Sequence, residues 1–347
     1  MVQAAEYVRG RDKVSIQQDV RFPSGSLHLA GTLALPSGEG PWPAVLLIAG
    51  SGQVDRNENT KKYAIDVLRQ VAQYLADRSV ATLRYDKRGV GESEGDYYES
   101  GFFDHVFDAS SALDYLKSCE GIRHDLAFLL GHSEGALIAT RMAATGTGVA
   151  GAILLAGTAR PGEEVLMWQT QQVLNGMHGF NKWLIDRLHI DVVKREAAQL
   201  DKIKRSTKNA YRVQLAKINA KWMREFLAYD PAQDLPNIHV PVLAITGSKD
   251  IQVMPADLER MRELVPGEFE GHEIPNVTHM LRAEPGQPSV SDYKAQILQP
   301  VDSRVLSLIG TWLAAHVPQR VPTRYGRTPE MKELKNISAK ELDKTRV

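Results

Sequence analysis

The sequence contains a single cysteine, Cys119, among its 347 residues. One cysteine cannot form a disulfide within the chain, which excludes a disulfide scaffold and suits a reducing compartment. Neither positive nor negative charge is in excess, since 42 Asp and Glu residues balance 42 Lys and Arg residues. A chain without net charge has no long-range field to attract a nucleic acid or an anionic membrane surface. We therefore expect no nucleic-acid partner.

Long hydrophobic runs are also missing. No stretch approaches the roughly 18 apolar residues of a membrane span. Residues 1–20 carry Arg9, Arg11, Asp12 and Lys13 and have no apolar core of a signal peptide. We expect a cytoplasmic protein without a membrane span, although a signal peptide removed beforehand would leave no trace. The histidines show no paired spacing with cysteines or carboxylates, so we expect no metal site.

Short apolar runs, by contrast, recur along the chain, and 43% of its residues are hydrophobic. Near-continuous hydrophobicity over strand length is typical of parallel strands that are buried on both faces. Segments with helical spacing of apolar residues separate the runs. The six runs cover residues 44–49, 80–85, 126–130, 151–156, 240–246 and 268–274.

Two further strands are predicted ahead of these runs. Residues 20–22 and 27–35 flank the sequence Pro-Ser-Gly-Ser, which indicates an antiparallel hairpin at the sheet edge. Together with the six runs this makes about eight strands. Strands that alternate with helices predict an α/β fold with a mostly parallel, doubly wound sheet and helices on both faces.

The alternation stops between Thr158 and Asp230, where the sequence shows no convincing strand. We expect a core of residues 14–159 and 230–317, a helical cap insertion over 160–229 and a polar C-terminal tail over 318–347. Large apolar residues of the insertion either pack a helix against the core or face a substrate, and a cap can do both. The candidates for the substrate side are Met167, Trp168, Met177 and Trp222.

Residues 131–135 read Gly-His-Ser-Glu-Gly and match the G-x-S-x-G pattern of a nucleophilic serine. They follow the strand-like run 126–130 directly and precede the helix-like run 136–144. That context is needed because a strained turn between strand and helix lifts the serine hydroxyl clear of the sheet. The glycines let neighbouring backbone pass without a Cβ clash. The pattern predicts that Ser133 is a nucleophile.

A serine hydroxyl is a poor nucleophile until a base removes its proton, so a histidine and an orienting acid are required. Asp250 follows the run 240–246 by a short turn, and His279 follows the run 268–274. Both should lie at the carboxyl edge of the sheet, where sites of open α/β folds form. We expect Asp250 as the acid and His279 as the base. Were Asp250 not the acid, Glu273 or Glu284 would take its place.

The anionic oxygen of a tetrahedral intermediate needs two backbone N–H donors. We expect one from Glu134, the residue after the nucleophile, and the other from the loop after the first buried strand. Ser51 is the first choice there and Gly52 the second. A phosphate site in this loop is disfavoured because Gly-Ser-Gly lacks a third glycine and no Walker lysine follows.

With these residues placed, the sequence resembles bacterial α/β-hydrolases of the esterase and lysophospholipase-like type, often described as serine-aminopeptidase-like. The resemblance spans about residues 20 to 316. Gln53 stands where such relatives typically have proline, which leaves an additional N–H in that loop. Besides the serine motif, the resemblance rests on residues 50–52 with 55–56, 85–91, 229–231, 241–243, 247–250 with 252–253, and 288–293.

The resemblance implies an α/β-hydrolase fold and a cofactor-free carboxylesterase with a helical cap and a small-molecule ester as substrate. The triad itself suits ester, amide and peptide bonds alike, so amidase or peptidase activity stays an alternative. Transfer of the acyl group to an acceptor other than water stays open as well. A non-catalytic binding protein on the same scaffold is a further alternative, because a fold does not determine a function.

Overall fold

The computed structural model of the 347-residue chain describes residues 6–10, 13–177, 179, 183–184, 187–189, 191–213 and 216–318. Among these residues, no helix combines the length and the apolar character required to cross a bilayer. The tail predicted over 318–347 lies outside the described residues except for Pro318.

Nine strands of the described chain form the main sheet in the order β1-β2-β3-β5-β4-β6-β7-β10-β11. The six strands from β5 to β11 in this order run parallel, and the first three are antiparallel to their neighbours. These nine are β1 (Glu6–Gly10), β2 (Lys13–Ser24), β3 (Leu27–Leu35), β4 (Trp42–Ile48), β5 (Ala81–Tyr85), β6 (Ile122–His132), β7 (Gly151–Leu155), β10 (Val242–Gly247) and β11 (Phe269–Ile274); β8 and β9 lie elsewhere.

All eight predicted strands are present, and the mostly parallel sheet is confirmed. The ninth strand is β1, which pairs with β2 on the outside of the predicted hairpin. The hairpin itself therefore does not form the edge of the sheet. Its turn is Gly25-Ser26, between the paired residues Ser24 and Leu27, and Gly25 has a φ of 60° that favours glycine.

The helices cover both faces of this sheet, as predicted. Leu46 and Ile48 of β4 pack into one cluster with α2, α3 and α7, whereas Val45 and Leu47 pack into the other with α1 and α9. This two-sided burial explains why the sequences of β4, β5, β7 and β10 are mostly apolar. The helices are α1 (Val67–Ala76), α2 (Phe102–Ser118), α3 (Glu134–Ala144), α4 (Gly162–Asn175), α5 (Val192–Arg205), α6 (Ala220–Ala228), α7 (Asp257–Leu264), α8 (Tyr293–Gln296) and α9 (Ser303–His316).

The segment 160–229 interrupts the alternation after β7, and most of its described residues are helical. It contains α4, α5 and α6, but it also contains an antiparallel hairpin of β8 (Ala210–Val213) and β9 (Ala216–Asn219). The prediction of no strand in this segment is therefore wrong. Each strand has four residues, which is the shortest length at which an alternating pattern can be read.

Candidate active site

Ser133 lies in a strained turn between β6 and α3. Its φ of 56° and ψ of −116° are unusual for a residue with a side chain. A Cβ added to Gly131 would lie 1.9 Å from the carbonyl oxygen of Gly135, and one added to Gly135 would lie 2.1 Å from that of Ile48. The two glycines are thus required because strand, turn and helix approach each other too closely for any side chain. Ser133 itself is only partly buried.

The structure brings Asp250 and His279 together with Ser133, because the parallel strands β10 and β11 end at the same edge as β6. His279 Nε2 lies 3.0 Å from Ser133 Oγ, and His279 Nδ1 lies 2.8 Å from Asp250 Oδ2. A carboxylate accepts, so Nδ1 donates to Asp250 and Nε2 is left to accept from the serine hydroxyl. These contacts form one continuous hydrogen-bond chain.

The carboxylate of Asp250 is fixed from its other side. Its Oδ1 accepts the N–H groups of Gln252 at 2.7 Å and Val253 at 2.9 Å, and the side chain is buried. One oxygen therefore closes the turn after β10 and the other orients His279. Of the alternative acids, Glu273 is exposed on β11, and Glu284 bonds to Gly286 and Gln296.

The loop after β4, residues 49–58, passes next to Ser133 and is called the Gly50 loop below. A Cβ on Gly50 would lie 3.3 Å from the Ser133 Cβ. The Gly50 N–H already donates to Glu58 Oε1 at 2.6 Å, which leaves the following residues, Ser51 and Gly52, as the nearer choices for an oxyanion donor. Gly52 has a φ of +92° that favours glycine. On the other side, Glu134 is the first residue of α3, where backbone N–H groups have no partner within the helix.

The side chain of Glu134 is buried in a cluster that the sequence did not reveal. Its two oxygens contact Lys87 Nζ at 2.7 Å, His105 Nδ1 at 3.0 Å and the indole N–H of Trp222 at 2.6 Å. Lys87 also donates to the carbonyl oxygen of Gly50 at 2.5 Å. Burial opposes the charge of this carboxylate, but Lys87 and His105 outweigh it and hold the pKa of Glu134 well below its usual value. Glu134 thereby connects Ser133, the Gly50 loop and the insertion.

We predict that Glu134→Gln lowers the free energy of unfolding, measured in urea, by about 3 kcal/mol, because it leaves the Lys87 ammonium buried without its counter-charge. The double variant Lys87→Met/Glu134→Gln should lose less than the sum of the single variants. A lowered pKa stabilises the fold above the ordinary carboxyl value and ceases to do so as the pH falls. The difference from wild type should therefore shrink below pH 4.5. Additive single effects would contradict the pairing.

A second buried pair lies under His279. His132, the second residue of the serine motif, contacts Glu58 Oε1 through Nδ1 at 2.9 Å and the carbonyl oxygen of His279 through Nε2 at 2.9 Å. The sequence motif contains His132 but indicates no role for it, and the sequence analysis assigns no role to Glu58. The available signal was a carboxylate in the glycine-containing loop beside the nucleophile.

The four candidates for the substrate side lie in different surroundings. Met167 packs with Leu200, Ile203 and Leu227 inside the insertion. Trp222 stacks on Phe226, with 4.9 Å between the ring centroids, and donates to Glu134 as described. Met177 lines a cleft of about 730 Å³ together with Ile251 and residues 287–292, and Ser133, Asp250 and His279 are not among its lining residues. Trp168 is partly buried in α4.

A family model described as serine aminopeptidase, S33, matches residues 62–286, which is well over half of the chain. The chain belongs to this family. The part that matches the family includes Ser133, Asp250 and His279, but it begins after the Gly50 loop. Among the described residues, no group of three or more His, Cys, Asp or Glu side chains is arranged to hold a metal ion.

Two relatives of known activity are similar to the chain in sequence. Esterase EstD of Thermotoga maritima is 27% identical over 291 residues, which are 82% of this chain and 65% of that esterase. The chain thus spans a little less than two thirds of the length of EstD. The 2,6-dihydropseudooxynicotine hydrolase of Paenarthrobacter nicotinovorans is 33% identical over 110 residues, 32% of this chain and 27% of that enzyme.

Solved structures confirm the predicted α/β-hydrolase fold. Est1E from Butyrivibrio proteoclasticus, with ferulic acid bound, superposes with a TM-score of 0.60 at 17% identity, over 86% of this chain and 98% of that chain. Proline iminopeptidase from Mycobacterium smegmatis superposes with a TM-score of 0.56 at 15% identity, over the same shares of the two chains. At such identities the likeness shows the fold alone.

Proposed function

We propose that the protein is a serine hydrolase that cleaves carboxylic esters through an acyl-enzyme intermediate. The observation that carries this proposal is the hydrogen-bond chain from Asp250 through His279 to Ser133, which ends at a hydroxyl in a strained, partly exposed turn. Nucleophile, base and orienting acid are at the distances that this chemistry needs.

In the first half-reaction, Ser133 Oγ attacks the ester carbonyl carbon while its proton moves to His279 Nε2. Asp250 stabilises the imidazolium that results, through Nδ1–H. The N–H groups of Glu134 and of Ser51 or Gly52 bind the oxyanion. The intermediate then collapses, and the alcohol leaves with the proton from Nε2. Water repeats these steps on the acyl-enzyme, releases the acid and restores Ser133.

The choice of an ester over an amide bond follows the relative EstD, an esterase that aligns with 82% of this chain. The family description, serine aminopeptidase, keeps amide cleavage as the competing activity. We expect p-nitrophenyl esters to be hydrolysed with a kcat/KM far above that of aminoacyl anilides of equal size. Faster turnover of the anilides would contradict the esterase assignment while leaving the triad in place.

We further propose that residues 160–229 form the cap of a core that comprises residues 14–159 and 230–317. Three contacts hold the insertion near the triad. Gln169 donates to the carbonyl oxygen of Gln252 at 2.7 Å, Trp222 donates to Glu134, and Asn219 donates to the carbonyl oxygen of Ser100 at 2.7 Å. The cleft at Met177 opens between α4 and residues 287–292. These contacts support a cap that covers the carboxyl edge of the sheet.

The surroundings of the methionines lead to a prediction on chain-length preference. Met177→Ala should shift the preferred p-nitrophenyl ester toward longer acyl chains, because each lost apolar contact changes discrimination by about 1 to 3 kcal/mol. Met167→Ala is the matched control, since it removes the same side chain from the interior of the insertion. Met167→Ala should lower the melting temperature and leave the preferred acyl chain length unchanged. Identical profiles for wild type and Met177→Ala would contradict a substrate role of this cleft.

A further inference from the structure

His132 is fully enclosed beneath the catalytic candidate His279. Its side chain is 4% exposed, and the centroids of the two imidazole rings are 5.1 Å apart. Both of its ring nitrogens have partners, Glu58 Oε1 at Nδ1 and the main-chain carbonyl of His279 at Nε2. His132 therefore does not contact the reacting hydroxyl, but it holds the backbone from which His279 projects.

Glu58 connects this histidine to the Gly50 loop. The same oxygen, Oε1, accepts the Gly50 N–H at 2.6 Å and lies 2.9 Å from His132 Nδ1. The residue has a φ of 72° and is buried, and its second oxygen has no hydrogen-bond partner among the described residues. A backbone in this unfavourable region is kept only where its surroundings hold it there. The contacts place the Glu58 carboxylate between the main chain of Gly50 and the ring of His132.

The partners of His132 determine where its protons are. A carbonyl oxygen only accepts, so Nε2 must carry a proton to bond with His279. An ionised Glu58 only accepts, so its contact with Nδ1 requires a proton on that nitrogen as well. A histidine with a proton on each nitrogen is an imidazolium. With Glu58 ionised, both contacts therefore exist together only while His132 is charged.

We propose that His132 is a positioning residue in the charged state. As an imidazolium paired with Glu58, it holds the His279 main chain and the Gly50 loop in fixed positions around Ser133. This inference rests on the proposed function, because these positions affect activity only if Ser133 is the nucleophile. The charge is what joins the two sides, since a neutral ring can donate to Glu58 or to His279 but not to both.

The charged groups around His132 favour this state. Burial opposes a charge, but Glu58 and, more weakly, Asp250 outweigh it, so the pKa of His132 is raised above its ordinary value. Other titratable or charged groups nearby are the His279 ring, with its centroid 5.1 Å away, Arg282, which interacts with Glu58, and Lys87, which binds the carbonyl of Gly50. A raised pKa stabilises the fold fully below the ordinary histidine value and ceases to do so as the pH rises through the raised one.

Two amide variants separate the two contacts. In His132→Gln the amide nitrogen can stand at the Nε2 position and donate to His279, whereas in His132→Asn it can stand at the Nδ1 position and donate to Glu58. We expect His132→Asn to lower kcat by about 10-fold to 100-fold at unchanged KM, as a displaced catalytic group does. His132→Gln should retain more of the activity. Wild-type kcat in both variants, or a change confined to KM, would overturn the positioning role.

The pH profile of kcat tests the charge, which a merely structural role would not affect. In the wild type, kcat should fall on the alkaline side where His132 loses its proton. Glu58→Gln should move this fall to lower pH, because an amide carries no negative charge and no longer favours the imidazolium. His132→Gln cannot titrate there and should lack the fall. A profile of identical shape in all three proteins would overturn the proposal.

The protonation state can be read directly by nitrogen NMR of the wild-type protein with labelled histidines at pH 6.5, the ordinary pKa of a histidine. The signals of His132 are assigned by their loss in His132→Gln, and both ring nitrogens should be protonated. One unprotonated nitrogen would overturn the charge, even if the variants fold poorly. This measurement needs no turnover. A wild-type protein that neither hydrolyses esters nor reacts with a fluorophosphonate probe refutes the proposed function instead, and the two failures are thereby distinguished.

Discussion

Ser133→Ala should abolish covalent labelling by a fluorophosphonate probe and lower kcat by several orders of magnitude, about as much as loss of the whole triad. The reason is the geometry of the turn, which presents this hydroxyl alone to His279 Nε2 at 3.0 Å. Alanine retains the Cβ and removes only the oxygen. The measurement is gel fluorescence after labelling, together with steady-state kinetics on a p-nitrophenyl ester.

The fold should survive this change, since Ser133 is anchored by its N–H, which donates to the carbonyl of Leu155 at 2.9 Å. An unchanged melting temperature is therefore part of the expected result. Ser51→Ala is a suitable control, because Ser51 is exposed and its predicted role uses only the backbone N–H. The Ser51→Ala variant should still be labelled by the probe and should retain most of its turnover. Undiminished labelling of Ser133→Ala would show that another residue is the nucleophile.

Asp250→Asn should lower kcat by about 10³-fold to 10⁴-fold with little change in KM. The carboxylate accepts from His279 Nδ1 at 2.8 Å and stabilises the imidazolium, which exists only as the reaction proceeds. An amide can donate to Nδ1 and select the wrong tautomer, with Nε2 protonated and unable to accept from Ser133. The turn after β10 should persist, because the side-chain oxygen of Asn can still accept from Gln252 and Val253.

The controls for this variant are the two carboxylates that the sequence left as alternatives. Glu273→Gln and Glu284→Gln should have the kcat of the wild type. Glu273 is exposed, and the described hydrogen bonds of the Glu284 carboxylate are to Gly286 and Gln296 and not to His279. Near-normal turnover of Asp250→Asn, with a large loss in either control, would assign the acid to the other residue.

Several elements could be predicted because their signal is local. The strands β4, β5, β7 and β10 and residues 126–132 of β6 are largely buried, so each one is a short apolar run. The edge strand β11 is partly exposed and carries a weaker signal. Gly131 is required by its distance to the nearby Gly135, whereas the distance that requires Gly135 is to Ile48 on another strand. β1, β8 and β9 escaped prediction, since none of them is a continuous apolar run and their pairing depends on a neighbouring strand.

The insertion shows the limit of such patterns at single residues. Apolar side chains at helical spacing indicate that a helix has a buried face, but the spacing does not say what covers that face. Met167 packs inside the insertion, whereas Met177 lines a cleft beside Ile251. Trp222 has a hydrogen-bonding role at Glu134 that no pattern in its own helix would indicate.

The sequence by itself determined the alternation of strands and helices, the turn at Ser133 and the order of Ser133, Asp250 and His279 along the chain. These follow from it because parallel strands end at one edge, and residues that follow them must meet there. Only the tertiary structure decided the charged pair beneath them. Glu58 lies 74 positions from His132, and His132 lies 147 from His279. No local periodicity encodes contacts at such separations, because they depend on how completed strands and loops pack against one another.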